Sequence, residues 1–137
     1  MNSINYLPIL VSALVAFGIS SLWYSPFLFG KEWLALQRID ATEIEAKKAG
    51  GIWKSYFSSI IMSLVTFSVL AFIISLVSIK SSTDGAFLGL LAWLGFVLPS
   101  AISSLLWKKV SLTLILIDCI NNLVVLTIGG AIIGAWR

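Results

Sequence analysis

Val110-Ser-Leu-Thr-Leu-Ile-Leu-Ile-Asp-Cys-Ile-Asn-Asn-Leu-Val-Val-Leu-Thr-Ile-Gly-Gly-Ala-Ile-Ile-Gly-Ala-Trp136 carries one charged side chain, Asp118. Three other stretches, Met1 to Gly30, Ser55 to Ile79 and Gly85 to Trp107, carry none. A helix needs roughly 20 apolar residues to cross a hydrocarbon core of about 30 Å, and each stretch is that long. Lipid offers no hydrogen bonds to the backbone, so spanning segments of this kind fold as helices that satisfy their own N–H and C=O groups. The expected fold is therefore an all-α membrane protein: a single four-helix transmembrane domain over residues 1–137. Its spans are predicted at about 5–24, 55–79, 85–107 and 111–136.

Composition agrees. The chain has 137 residues, 59% hydrophobic and 11% charged, with a mean hydropathy of +1.04. Soluble domains carry about 25% charged residues. The net charge of +3 does not indicate nucleic-acid binding, because the basic residues flank the apolar runs, where anionic lipid accounts for them. Histidine is absent, which removes the commonest general base and metal ligand. Cys119 is the single cysteine, so no disulfide or thiolate metal cluster is expected, and it reads as a small buried hydrophobe. No cofactor, no metal and no enzymatic activity are expected. The first apolar run has no preceding Lys or Arg and exceeds a signal-peptide core, so a retained helix is expected.

The residues between the first two spans, Lys31 to Lys54, hold four of the six acids and five of the nine bases. Asp40-Ala-Thr-Glu43 has capping-box spacing, predicting a short helix to about Ala49, where Gly50-Gly51 stops it. Ahead of it, Trp33, Leu34 and Leu36 beside Lys31 and Arg38 predict a turn or two of interfacial helix. Lys80-Ser-Ser-Thr-Asp84 joins the second and third spans, with Ser82 or Asp84 as the expected cap. Lys108-Lys109 joins the third and fourth. Seven Lys and Arg lie in the first and third loops, against two (Lys80 and Arg137) on the other side. The positive-inside rule then places loop 31–54 in the cytoplasm and both termini outside. Trp23, Tyr24, Trp33, Trp53 and Trp107 at one boundary and Trp136 at the other are expected headgroup-level anchors.

Leu22-Trp-Tyr-Ser-Pro-Phe-Leu-Phe-Gly-Lys-Glu-Trp33 resembles a bacterial membrane-protein family catalogued as domain of unknown function 1761. The resemblance extends through the acidic-then-basic segment Thr42 to Lys48, Trp93-Leu-Gly-Phe96, and the closing Gly-Ala-Trp-Arg137. It implies a four-span membrane protein and supplies no activity; the expected location is a bacterial inner membrane.

Asp118 is the residue most in need of explanation. An Asp at a helix centre opposes insertion by about 2.5–3.5 kcal/mol. The 14 Leu, Ile and Val residues from Val110 to Ile133 contribute roughly −4 to −8 kcal/mol. The helix inserts, but its acid is driven away from lipid. Asn121 and Asn122, at i+3 and i+4, share its face. The three form a candidate polar intramembrane site: a proton or cation site, or interhelical glue. Gly85-x-x-x-Gly89 and Gly130-x-x-x-Gly134 let helices approach closely, within the chain or between subunits. Ser12, Ala16 and Ser20 form a further small-residue stripe, as do Ser55, Ser59 and Ser63. Pro99 breaks the backbone ladder of the third span, and Ser100, Ser103 and Ser104 are placed to line a path or relieve the break. Trp93 is read as core packing.

Two uses remain open on the sequence. One is a small homo-oligomeric channel or transporter for protons, cations or small solutes. The other is an accessory protein that docks a membrane-protein partner through its polar and small-residue faces. Membrane lipids are expected contacts in both.

Overall fold

The computed structural model describes residues 5–36, 42, 53–108 and 110–136. Among these it is all-helical, with 86% helix and no strand. The elements are α1 (Tyr6–Trp23), α2 (Gly30–Leu36), α3 (Trp53–Leu76), α4 (Ser82–Ala92), a π-helical turn (Trp93–Val97), α5 (Leu98–Trp107) and α6 (Leu112–Ala135). With α4 and α5 taken as one span, four helices among the described residues are long and apolar enough to cross a membrane. The predicted helix over Asp40–Ala49, apart from Thr42, and Lys109 lie outside the described residues.

The helix ends follow local chemistry. Asn5 caps α1 by accepting the Leu7 N–H at 3.1 Å. The α1 helix stops at Trp23, because Pro26 disfavours helical geometry at Ser25. Ser81, not Ser82 or Asp84, caps α4: its hydroxyl accepts the Asp84 N–H at 3.2 Å, and the helix starts three residues earlier than predicted. At the end of α3 the N–H of Ile79 bonds the Ile74 carbonyl and that of Ser78 bonds Ser75. This is a Schellman ending, with Ser78 at φ 57° in place of the usual glycine. The same ending shortens the second span, which runs to Leu76 rather than Ile79.

The bundle is organised around α6, which packs against α1, α3 and α4. Its closest partner is α4. A Cβ on Gly85 would collide with the Gly130 carbonyl oxygen, one on Gly89 with the Leu126 carbonyl, and one on Gly134 with the Ser81 carbonyl. The two glycine motifs thus mesh with each other inside one chain. Antiparallel α1 and α6 meet at Ser12 with Gly129 and at Trp23 with Ile117. Phe67 of α3, fully buried, fills the space a Gly129 side chain would occupy. Around it, Ile9, Ala13, Ala16, Leu70, Ala71, Ile74 and Ile133 form the apolar core. That core occupies the half of the bundle nearer the termini. Outward-facing residues such as Leu14, Phe72, Phe87 and Phe96 stand exposed, the arrangement expected where lipid is the surrounding solvent.

Pro99 acts through the π-helical turn that precedes it. The Leu98 N–H reaches five residues back to the Trp93 carbonyl. Pro99 has no N–H to return to Leu94 or Gly95. The extra residue in the turn rotates the helix, so the close packing of α4 along α6 does not continue into α5.

Candidate functional site

The chain doubles back after α1, and that return places donors around Asp118. Ser25 accepts the Leu28 and Gly30 N–H groups, while Phe29 donates to the Trp23 carbonyl at 3.0 Å. Gly30 closes the turn: a Cβ there would overlap the Tyr24 and Ser25 carbonyls. The following α2 is therefore tucked beneath the bundle, and the Trp33 ring lies 5.3 Å from that of Tyr24 at 63°.

Both rings then point a donor at α6. The Tyr24 hydroxyl donates to Asp118 Oδ1 at 2.6 Å, and Trp33 Nε1–H donates to the same oxygen at 3.1 Å. One residue earlier, Trp23 Nε1–H donates to the Ile117 carbonyl at 3.0 Å. One residue later, Trp93 Nε1–H donates to the Cys119 carbonyl at 2.8 Å. Four aromatic donors thus converge on three successive residues of α6. The carboxylate is half-buried and lies about 9 Å along α6 from Leu112 at 1.5 Å per residue. It sits between the interface and mid-span, so the helix-centre penalty is an upper bound for it. Two donors replace much of the water it loses.

The acid and its two amides have different surroundings. Asn121 is 6% exposed and faces α1, where its Nδ2 donates to Ser20 Oγ at 3.2 Å and its Oδ1 lies 3.4 Å from the same hydroxyl. Asn122 stands exposed. Both amides line a lateral cleft of about 290 Å³ whose other polar walls are Ser20, Ser63 and Thr66, with Val97 of the π-helical turn opposite. Asp118 is not part of that lining. A second groove of about 380 Å³ runs between α1 and α3 past Ser21, Tyr24, Tyr56 and Ser59, and shares Ala16, Ser20 and Ser63 with the first. Together they form a hydroxyl-lined seam towards the Trp23 end of α1 and the Trp53 end of α3.

The cleft lies at mid-span. Asn121 and Asn122 stand within about 4 Å of the midpoint of α6, and Ser63 and Thr66 within about 2 Å of the midpoint of α3, at 1.5 Å per residue. The π-helical turn brackets the midpoint of the third span. Broken backbone at such a depth is stable where it lines a polar cavity or is buried in protein.

The remaining sequence candidates divide. Trp53, Trp107 and Trp136 project from helix ends and are exposed, as headgroup anchors are. Trp23, Tyr24 and Trp33 turn inward instead and supply hydrogen bonds. Ser100 and Ser103 are exposed on α5, away from the cleft lining, and Pro99 contributes through the turn before it. Gly85, Gly89, Gly130 and Gly134 are all buried in the α4–α6 contact. Cys119 is buried and free. Among the described residues no group of His, Cys, Asp and Glu is placed to hold a metal ion.

Sequence reading missed the service Tyr24 and Trp33 give to Asp118. The signal was present: both carry a polar hydrogen, and both sit within a short, proline-turned string at the level of the acid. It also missed Ser63 and Thr66 as cleft walls, because a hydroxyl in an apolar helix can equally bond its own backbone, as Thr66 does to Met62 at 3.0 Å.

A family model described as "Protein of unknown function (DUF1761)" matches residues 7–134. No curated protein and no solved structure matches the chain. The chain belongs to this family, and it is an integral membrane protein by the character of its helices.

Proposed function

We propose that this member of the family is the subunit of a small channel or transporter whose selective region is the mid-span cleft. The observation that carries the reading is the convergence of Asn121, Asn122, Ser20, Ser63 and Thr66 on one cleft beside a broken helix. Interrupted helices and polar side chains near the bilayer midplane are how transporters build binding sites. Asp118 is a positioning residue: pinned by Tyr24 and Trp33, it fixes α6 against α1 and α2 and so sets the Asn121–Ser20 wall. The protein works as a homo-oligomer in this proposal, because the cleft of one subunit opens sideways and a second copy would close it into a path. It acts without a catalytic step. Loop 31–54 faces the cytoplasm of a bacterial inner membrane, with the termini outside, as the loop charges indicate.

A second reading has its own support. Asn122 presents an exposed amide, and an amide in lipid seeks a hydrogen-bonding partner on another helix. In that reading the protein is an accessory subunit, and its cleft is the seat for a partner's helix.

Proteoliposomes separate the two. The transport reading expects solute or ion flux above empty vesicles and its loss in Asn122→Leu, a substitution at an exposed position that leaves the fold intact. Absence of flux from wild type, together with a stoichiometric membrane partner released by Asn122→Leu, would establish the accessory role instead.

A further inference from the structure

Resting on the transport reading, we infer that the ligand of the mid-span cleft is a small neutral solute that both donates and accepts hydrogen bonds, a short polyol or an amide, rather than an ion. Three observations converge on that class. The first is the lining: among the described residues its polar groups are two carboxamides and three hydroxyls, with no charged side chain. Ion pathways through membranes are marked by ionisable residues or by rings of carbonyls. The carboxylate that precedes the two amides on α6, Asp118, is turned to the Tyr24 hydroxyl and the Trp33 indole.

The second is unused hydrogen-bonding capacity. A carboxamide offers two N–H donors and an oxygen with two lone pairs. Asn121 is buried, and both of its side-chain contacts go to the single hydroxyl of Ser20. One N–H donor and one lone pair are left for whatever fills the cleft it lines. A buried amide with such capacity at membrane depth calls for a ligand that presents both polarities. Of the hydroxyls facing the same space, Ser20 is engaged with Asn121 and Thr66 donates to Met62, which leaves lone pairs on Thr66 and the hydroxyl of Ser63 to add to that capacity.

The third is size. The cleft holds about 290 Å³. At the ~30 Å³ that a molecule occupies in liquid water, this is room for about ten waters. A solute of four to six heavy atoms with its first hydrogen-bonded waters fits, at those dimensions of ~30 Å³ per water. A sugar-sized molecule would displace most of that water.

The test uses the full-length protein in proteoliposomes, with glycerol and urea as the neutral probes and K⁺ and H⁺ as the charged ones. Stopped-flow light scattering reads the neutral solutes; a potassium electrode and an internal pH dye read the ions. Glycerol or urea should enter at least several-fold faster than into empty vesicles, and Asn122→Leu should return that rate to the empty-vesicle value. Ion leak should equal that of empty vesicles. Should K⁺ or H⁺ pass while both neutral probes stay out, the ligand class is wrong although the transport reading survives. Should none of the four exceed the empty-vesicle rate, both fall. Asn122→Ser, which keeps a donor and an acceptor, should retain neutral-solute entry; loss equal to that of Asn122→Leu would show that hydrogen bonding at this position is irrelevant and overturn the proposal.

Discussion

Removing one oxygen atom tests how Asp118 is held. Tyr24→Phe deletes the hydroxyl that donates to Oδ1 at 2.6 Å and leaves the ring to pack on Trp33 at 5.3 Å. A hydrogen bond to a charged group is worth about 1.5–3 kcal/mol. Within membranes side-chain hydrogen bonds average about 0.6 kcal/mol and reach about 1.7. The two ranges overlap near 1.5 kcal/mol, and that is the destabilisation expected, since Trp33 continues to donate to the same oxygen. In an Asp118→Asn background the acceptor is neutral and the charge assistance is gone, so the same change should cost about 0.6 kcal/mol. The double-mutant cycle therefore predicts a coupling of about 1 kcal/mol. Steric trapping in bicelles measures all four proteins under conditions where the bundle unfolds reversibly. A coupling below about 0.3 kcal/mol, the level at which distant sites are additive, would mean that the phenol and the carboxylate do not interact.

Further outcomes follow from the packing and the loop charges. Gly130→Ala gains about 1 kcal/mol of helix propensity. Its Cβ meets the Gly85 carbonyl, which is backbone and cannot rotate away, so overpacking of about 1–3 kcal/mol or more should win; thermal melts in detergent should fall, and an unchanged melt would refute the α4–α6 register. Thr127 Oγ1 is buried without a hydrogen-bond partner among the described residues, so Thr127→Val should stabilise by roughly 1 kcal/mol, because leaving a buried polar group unmatched costs about 1–3; a loss of stability in the same melts would reveal a partner for that hydroxyl. A reporter fused after Arg137 should be active only outside the cytoplasm, and cytoplasmic activity would reverse the orientation assigned from the loop charges.

The number and limits of the helices were legible because lipid enforces them. Four uncharged runs of spanning length admit one backbone solution, and the ends moved by only a few residues when Ser81 and the Schellman turn at Ser78 took over the capping. The glycine motifs were equally legible as sites of close approach, although whether they met within one chain was not; Gly85 and Gly130 resolve that by occupying each other's Cβ space. The candidate site was legible in part. Asp118, Asn121 and Asn122 share a helical face by spacing, yet a face some 100° wide can meet two neighbours. Asp118 meets the returning segment, and the amides meet the cleft. Which neighbour each one meets depends on the turn through Gly30 and on the extra residue before Pro99, and both are tertiary facts. Aromatic residues near a span end have one amphipathic signature whether they anchor in headgroups or donate inward. Trp107 and Trp33 could not be told apart from composition alone.

The account turns on water reaching mid-span at the cleft. Asn122→Cys, with Cys119 replaced by alanine to remove the native thiol, can be compared with Phe72→Cys on the exposed face of α3 by reaction with a membrane-impermeant maleimide in native vesicles. The account predicts labelling at 122 at least tenfold faster than at 72, and slowed when glycerol is present. Equal and negligible labelling at both positions would place the amide against hydrocarbon and contradict it.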